Sequence, residues 1–167
     1  KEDKEEKINK IKEMADNGDI NEMYNYAAML ENGNGIPENK NEAAKYYRLS
    51  AEKGHIGAMN NLAFMLKDGD GIEMNKKEAI KYFILAADKG HVISMLYAGI
   101  MLYNGDGIEA NKDDGIKYIK MAREEDALGA QLFYDEKLKK GEITAEEKEK
   151  TLINLRRRIF KGDANAM

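Results

Sequence analysis

The chain has 167 residues, of which 43% are hydrophobic and 35% are charged, a balance too apolar for a disordered protein. Its net charge of −4 is small and mixed in sign. We therefore expect no nucleic-acid partner, because phosphate binding needs a basic face. The absence of cysteine excludes disulfides, thiolate metal sites and a cysteine nucleophile.

Neither a membrane anchor nor a secretory signal is indicated. No apolar run approaches the ~20 residues that a membrane-spanning helix needs. The N-terminal stretch KEDKEEKINK is strongly charged and no apolar segment follows it, unlike a signal peptide. We expect no membrane partner, and the compartment stays open with the cytoplasm slightly favoured.

The first predicted element is a helix from Glu6 to Asn17, and units of two helices follow it along the chain. The second unit shows the pattern best. Apolar residues recur at helical spacing from Ile56 to about Asp68 and again from Asn75 to about Lys89. Gly69 and Gly71 lie between the two helices, where the chain must turn and glycine tolerates a positive φ.

These units repeat with a step of 36 residues. The stretches NGNGIPENKNEA, DGDGIEMNKKEA and NGDGIEANKDDG recur at this step, as do methionine, leucine and tyrosine positions outside them. One pair of helices cannot bury its apolar face, so the units must stack. We predict a single array: a partial unit 1–16, units 17–52, 53–88 and 89–124, a degenerate unit 125–160, and the start of another unit at 161–167.

The fourth unit departs from the repeat because it lacks the second loop glycine. The letters TAEE from Thr144 start its second helix early, and we expect that helix to run to Phe160. The end of this helix carries a basic run, Arg156 to Arg158, and Lys161 follows it. We expect these cations to be solvated or packed between units, and the alternative is a site for an acidic partner.

Cap residues mark the helix ends. Asparagine precedes an acid by three residues at each second helix, glycine follows that helix, and aspartate or histidine takes the N-cap slot of the first helices. These residues are Asn39, Asn75 and Asn111, Gly54 and Gly90, and Asp19, His55 and His91. We expect Lys45, Lys81 and Lys117 to form solvated pairs with the acids three residues before them.

Two other sets of residues recur inside the helices. Small residues should allow close helix approach, and methionines at helical spacing should fill the core. They are Ala27, Ala63 and Gly99, and Met23, Met29, Met59, Met65, Met95 and Met101.

The stretch KDGDGIEMNKKE looks like a calcium-binding loop at first sight. Placing Gly71 at position 6 of an EF-hand loop puts Leu66 at position 1 and Lys77 at position 12, where calcium needs oxygen ligands. The three loops keep their glycines and isoleucine, such as Ile72, while acids alternate with asparagine. We therefore expect structural glycines, a core role for the isoleucine, and neither a metal nor another cofactor.

The candidate binding surface lies where the repeat varies. At one repeat position of the first helices the residues are Tyr24, Asn60, Leu96 and Leu132. At the next position they are Asn25, Asn61, Tyr97 and Phe133. Because packing should limit such variation, we expect these side chains to be exposed. Asparagine can bond both backbone groups of an extended peptide, and aromatic rings supply anchoring area. The pattern predicts a protein- or peptide-binding groove, polar at one end and apolar at the other, and the alternative is ordinary contact between units.

A dozen positions carry a family resemblance. In the second unit they are Ala58, Leu62, Leu66, Gly69, Gly71, Ile72, Asn75, Glu78, Ala79, Tyr82, Ala87 and Gly90. This pattern resembles the Sel-one-like repeat family, a relative of the tetratricopeptide repeat, although tyrosine stands where the family often has tryptophan. The resemblance implies an all-α, right-handed α-solenoid with first helices on its concave surface. It also implies a non-catalytic adaptor or scaffold.

Two other functions remain open at this point. The segment could be a structural spacer that positions flanking domains, or, less favoured, a β-lactamase-like hydrolase. Ser50 and Ser94 show no recognisable spacing to a histidine, so we predict no catalytic residues. End-to-end self-association is expected if the end faces of the array are left uncapped.

Overall fold

The structure is a computed structural model that describes residues 3–144. Within this range it contains eight α-helices and no β-strand. The helices are α1 (Lys4–Asp16), α2 (Ile20–Asn32), α3 (Lys40–Glu52), α4 (Ile56–Asp68), α5 (Lys76–Asp88), α6 (Val92–Asn104), α7 (Lys112–Glu124) and α8 (Leu128–Lys139). Helices α2, α4, α6 and α8 are the first helices of successive units, and α1, α3, α5 and α7 are second helices.

Each helix packs against the next one in the chain, and one apolar core runs through the stack. The predicted all-α solenoid is confirmed. Five of the six predicted filler methionines are buried in this core, and Met29 is only half-buried. The buried ones are Met23, Met59, Met65, Met95 and Met101. Ile72 also packs against the core from its loop.

The predicted N-caps of the second helices are confirmed. The side-chain oxygens of Asn39 and Asn75 accept the backbone N–H groups of Glu42 and Glu78 at 3.0 Å. Asn111 accepts the N–H of the residue three positions on at 3.1 Å in the same way. These bonds satisfy N–H groups that have no partner inside the helix, and each typically stabilises the fold by ~1 kcal/mol.

The predicted pairs of Lys45, Lys81 and Lys117 with the acids three residues earlier are wrong. None of these lysines forms an ion pair with a residue that the structure describes. The acids are already engaged, because Glu42 accepts the Asn39 amide at 3.1 Å and Glu78 pairs with Arg48 of the preceding unit. The three lysines are therefore left exposed on the second helices.

The loop of each unit packs on the start of the preceding second helix. A Cβ atom at Gly71 would lie 2.2 Å from the Lys40 Cβ, and one at Gly107 would lie 2.3 Å from the Lys76 Cβ. The loop acids lie beside the same lysines. Lys40 Nζ is 2.8 Å from Asp70, and Lys76 Nζ is 2.7 Å from Asp106. Asp70, one of the acids that suggested calcium, therefore forms an ion pair between units, whereas Asp68 pairs with the neighbouring Lys67.

Tyrosines link the second helices of successive units. Tyr118 donates its hydroxyl hydrogen to Asp88 at 2.8 Å, and Tyr46 donates to Asp16 in the same way. Burial, together with the bond to Asp88, raises the pKa of Tyr118 to about 12, so its hydroxyl stays a donor at neutral pH. The hydroxyl groups of these tyrosines therefore connect neighbouring units by direct hydrogen bonds.

Candidate functional site

Three of the predicted site residues contact the next unit. The Tyr24 ring stacks on the His55 ring with 4.4 Å between centroids. Asn60 accepts the Ser94 hydroxyl at 3.0 Å. Leu96 lies against Gly129 in the first turn of α8. These side chains lie at seams between neighbouring first helices rather than on an open surface.

Three others contact the preceding unit. Asn61 donates its amide hydrogen to the Tyr47 hydroxyl at 3.0 Å. The Tyr97 ring meets the Phe64 ring edge-on at 4.6 Å, and the Phe133 ring meets the Tyr103 ring at 5.4 Å. The site residues therefore form two sides of each seam.

The expectation that all eight residues are exposed is wrong for most of them. Asn60 is buried, with 9% of its surface accessible, and Tyr24, Asn61, Leu96, Tyr97 and Phe133 are half-buried. Only Asn25 and Leu132, at the two ends of the series, are exposed. The residue type varies because a different pair of side chains meets at each seam. The sequence interpretation took this variation as a sign of exposure.

At each seam a large side chain on one helix faces a smaller residue on the neighbouring helix. A Cβ atom at Gly57 would lie 3.2 Å from the Tyr24 ring, and one at Gly129 would lie 2.8 Å from Leu96. In the middle seam the smaller Asn60 takes the place of these large residues, and the corresponding glycine is replaced by Ile93. The larger side chain therefore lies on the earlier helix in the first and third seams and on the later helix in the middle seam.

A directed chain of hydrogen bonds crosses the first two seams. Ser94 donates to Asn60, Asn60 donates to Asn61 at 3.2 Å, Asn61 donates to Tyr47, and Tyr47 donates to Glu31 at 2.6 Å. Every donor points toward the Glu31 carboxylate, so each bond polarises the next one. Burial and the bond to Glu31 raise the pKa of Tyr47, which keeps its hydroxyl a donor.

This polar chain stops where the second helices lose their hydroxyl group. Phe83 and Ile119 occupy the place of Tyr47 in the next two units. There the Phe83 ring stacks on Tyr97 at 5.6 Å instead. The gradient from polar to apolar along the first helices is therefore repeated in the residues beneath them, a feature that the sequence interpretation missed.

The exposed part of the first helices holds residues that the sequence interpretation did not single out. Ile93 on α6 is 52% exposed, and Phe64 on α4 and Ile100 on α6 are half-buried. Helix α6 carries no charged residue, whereas α3 and α5 carry five each and α7 carries seven. A comparison of residues 36 positions apart would have found these sites, because Ile93 aligns with Gly57 and Phe64 aligns with Ile100.

We call the outward side of α2, α4, α6 and α8 the first-helix face. It is polar on α2, where Asn25 is exposed, and apolar on α6 and α8, where Ile93 and Leu132 are exposed. Lysine side chains border the aromatic rings, with Lys67 Nζ 5.8 Å from the Phe64 centroid. Such a surface can bury apolar groups of a ligand while offering amide groups at one end.

The serines offer no accessible nucleophile. Ser50 is fully buried and donates to the backbone oxygen of Ile20 at 2.8 Å, although it stands three residues before Lys53, an S-x-x-K spacing that sequence inspection overlooked. Ser94 is also fully buried, with its oxygen 2.9 Å from His91 Nδ1, a pairing that sequence reasoning missed as well. Both hydroxyl groups serve packing between helices.

Both histidines act as N-caps, as predicted. His55 Nδ1 accepts the N–H of Ala58 at 3.1 Å, and His91 Nδ1 accepts the N–H of Ser94 at 3.3 Å. Burial lowers the pKa of both imidazoles below the usual 6.5. A protonated ring has no lone pair with which to accept these bonds.

We therefore expect the fold to lose stability in mild acid. The unfolded chain takes up protons at the two imidazoles first, so the contribution is complete above about pH 6.5 and declines as the pH falls below it. The loss should be ~1 kcal/mol per histidine, the usual worth of an N-cap. Urea unfolding at pH 5.5 and 7.5 measures it. The double variant His55→Asn, His91→Asn keeps neutral caps and should show a smaller difference; an equal difference would assign the pH dependence to other groups.

Within residues 3–144 no helix is both long and apolar enough to cross a membrane. The same residues include no group of three or more histidine, aspartate and glutamate side chains arranged to hold a metal ion.

Comparison with known proteins identifies the repeat. The model of the Sel1 repeat matches residues 23–55, 56–91 and 92–126. A Sel1 repeat protein from Oxalobacter formigenes has a similar structure, with a TM-score of 0.69 and 22% identity over 76% of this chain and 96% of that one. Cysteine-rich protein B of Helicobacter pylori superposes with a TM-score of 0.60 at 18% identity, over 78% of this chain and 97% of that one.

A third similar structure is a protective antigen present in uropathogenic Escherichia coli strains, which displays an SLR fold. It superposes with a TM-score of 0.70 at 22% identity, over 74% of this chain but only 27% of the antigen. Comparison with curated proteins gave no match. The family match covers more than half of the chain, and the similar structures share its two-helix architecture. The chain belongs to the Sel1 repeat family.

Proposed function

We propose that the chain is a non-catalytic scaffold that binds a protein or peptide ligand on its first-helix face. One observation carries this proposal: α6 lies at the surface without a single charged residue, and it exposes half of Ile93. The second helices show the composition expected of a solvated surface. The uncharged, partly apolar α6 on the opposite side of the array favours contact with another molecule.

The ligand would lie across the first helices of several units. Its apolar groups would cover Ile93 on α6 and Leu132 on α8, which are 52% and 62% exposed. Asn25 on α2 would offer amide groups at the polar end. Members of this family are generally scaffolds for protein interaction, which supports the same interpretation.

The half-buried seam residues are poor choices for a test, because Asn61 and Tyr97 contact the preceding unit. We would instead change exposed residues only, in the variant Ile93→Ser, Leu132→Ser. A matched control is Met14→Ser, Leu85→Ser, which removes two apolar side chains of 38% and 39% exposure from other surfaces. All three proteins should unfold at similar temperatures.

Each protein would be used to capture partners from extract of the native cells, with quantification by mass spectrometry. We expect at least one protein to be recovered by the parent and the control but tenfold less by the Ile93→Ser, Leu132→Ser variant. Equal recovery by all three would contradict binding at the first-helix face. If none of the three recovers a partner, a spacer that positions flanking domains becomes the better interpretation.

A further inference from the structure

A groove of about 610 Å³ opens on the side of the second helices, away from the first-helix face. It lies between α3 and the loop that leads into α5. Ala44 and Ile72 form part of its floor, and Leu49 and Met74 form its sides with 45% and 58% of their surface exposed. The volume falls in the range of pockets that bind small ligands or single side chains.

The groove exists because two of its lining residues, Ala44 and Met74, differ from the residues at the same places in the following units. Ala44 occupies the place that Ile80 and Ile116 fill in the next two units, where both isoleucines are buried. Alanine leaves out three carbon atoms of that side chain. Met74 departs in the opposite sense, since Ala110 stands in its place one unit later. The groove between the first and second units therefore has a deeper floor, at Ala44, and a higher wall, at Met74, than the same place one unit later.

The rim of the groove carries opposite charges on its two sides. Arg48 of α3 and Glu78 of α5 form an ion pair and neutralise each other. Lys45 on α3 and Glu73 on the loop are exposed, and neither forms an ion pair with a residue that the structure describes. A ligand that fits must therefore present an acid to one side, a base to the other and an apolar group between them.

We infer that this groove binds an extended segment of a partner protein with the pattern acid-x-apolar-x-base. In an extended chain the residues two positions apart project from the same side. One bulky apolar side chain would then enter above Ala44, with the acid against Lys45 and the base against Glu73. This site is separate from the first-helix face, so either could exist without the other.

The substitution Ala44→Ile tests the groove with a residue that the repeat itself uses at this place. Because Ile80 and Ile116 are accommodated at the same position, the variant should unfold at the same temperature as the parent or higher. A phage-displayed library of random heptapeptides would be selected on both proteins in parallel. We expect peptides with the pattern acid-x-apolar-x-base to be enriched on the parent alone.

An enriched peptide would then be titrated by fluorescence polarisation. Its Kd should rise at least tenfold for Ala44→Ile and at least fivefold for Lys45→Glu. A peptide with lysine in place of its acid should recover binding to Lys45→Glu. The control Lys81→Glu changes the equivalent lysine beside Ile80 and should leave the Kd unchanged.

Several outcomes would overturn the inference. Selection of the same peptides by Ala44→Ile with equal affinity would show that the groove is not their site, as would equal effects of Lys45→Glu and Lys81→Glu. Failure of the parent to enrich any peptide that depends on Ala44 would also reject it. Loss of binding in Ile93→Ser, Leu132→Ser but not in Ala44→Ile would assign the peptides to the first-helix face instead.

Discussion

The substitution Gly71→Ala should lower the free energy of unfolding by about 2–5 kcal/mol, the largest effect that we expect of one added methyl group. Gly71 has a φ of +76°, where a Cβ atom costs roughly 1–2 kcal/mol. The new carbon would also lie 2.2 Å from the Lys40 Cβ and 3.1 Å from the Lys40 carbonyl carbon. Because backbone is involved, the loop and α3 must move apart, and such overpacking typically costs about 1–3 kcal/mol.

A matched control separates the two causes. Gly54 also has a positive φ, +100°, but a Cβ atom there would meet nothing within 4 Å. Gly54→Ala should therefore show the conformational cost alone. Urea unfolding followed by circular dichroism measures both variants. If Gly71→Ala were no more destabilising than Gly54→Ala, the loop would not be held against the preceding unit as described.

The second large effect is expected at the seam between α2 and α4. Gly57→Ile should cost about 1–3 kcal/mol, because its side chain would overlap the Tyr24 ring, 3.2 Å from the new Cβ. Tyr24→Asn should relieve this overlap, since the double variant copies the pairing of Asn60 with Ile93 one unit later. We expect the two changes to be coupled by at least ~1 kcal/mol in a double-mutant cycle.

The control for this cycle uses a distant seam. Leu96→Asn makes the same kind of truncation two units further along, where it faces Gly129 rather than Gly57. Its effect should simply add to that of Gly57→Ile, since the two sites share no partner. A coupling energy near zero for Tyr24→Asn as well would mean that side-chain size is not matched across the seams.

Helices, caps and loops could be predicted from the sequence because they depend on residues close together in the chain. The predicted span from Ile56 to Asp68 is the observed α4, and the asparagine N-caps are where the spacing placed them. Each feature rests on backbone geometry that a few neighbouring residues decide. The 36-residue step then extended one well-defined unit to the others.

The candidate site was harder to predict because it depends on pairs of residues from different units. Variation at Asn60 suggested exposure, but its amide is used by Ser94 and Asn61. A single sequence shows that a position varies without showing which other position varies with it. The groove over Ala44 was missed for the same reason, because its shape depends on two residues from different units. Ala44 is smaller than the isoleucine at its place in later units, and Met74 is larger than the alanine at its place in the next unit.

Residues 145–160 and 161–167, which we predict to complete the degenerate unit and begin another, lie outside the described residues. The predicted basic run at Arg156 to Arg158 lies there too. The proposals therefore rest on α1 to α8 alone.

The paired bulk at the seams has a consequence for the modularity of the array. Removing residues 53–88 would leave every cap, loop and core position intact, yet it would place Tyr24 opposite Ile93, two large side chains where each seam now has one. The units are thus alike in backbone but not interchangeable in order. A shortened array would be expected to open at the new junction, so the order of repeats along this chain is itself part of what its residues specify.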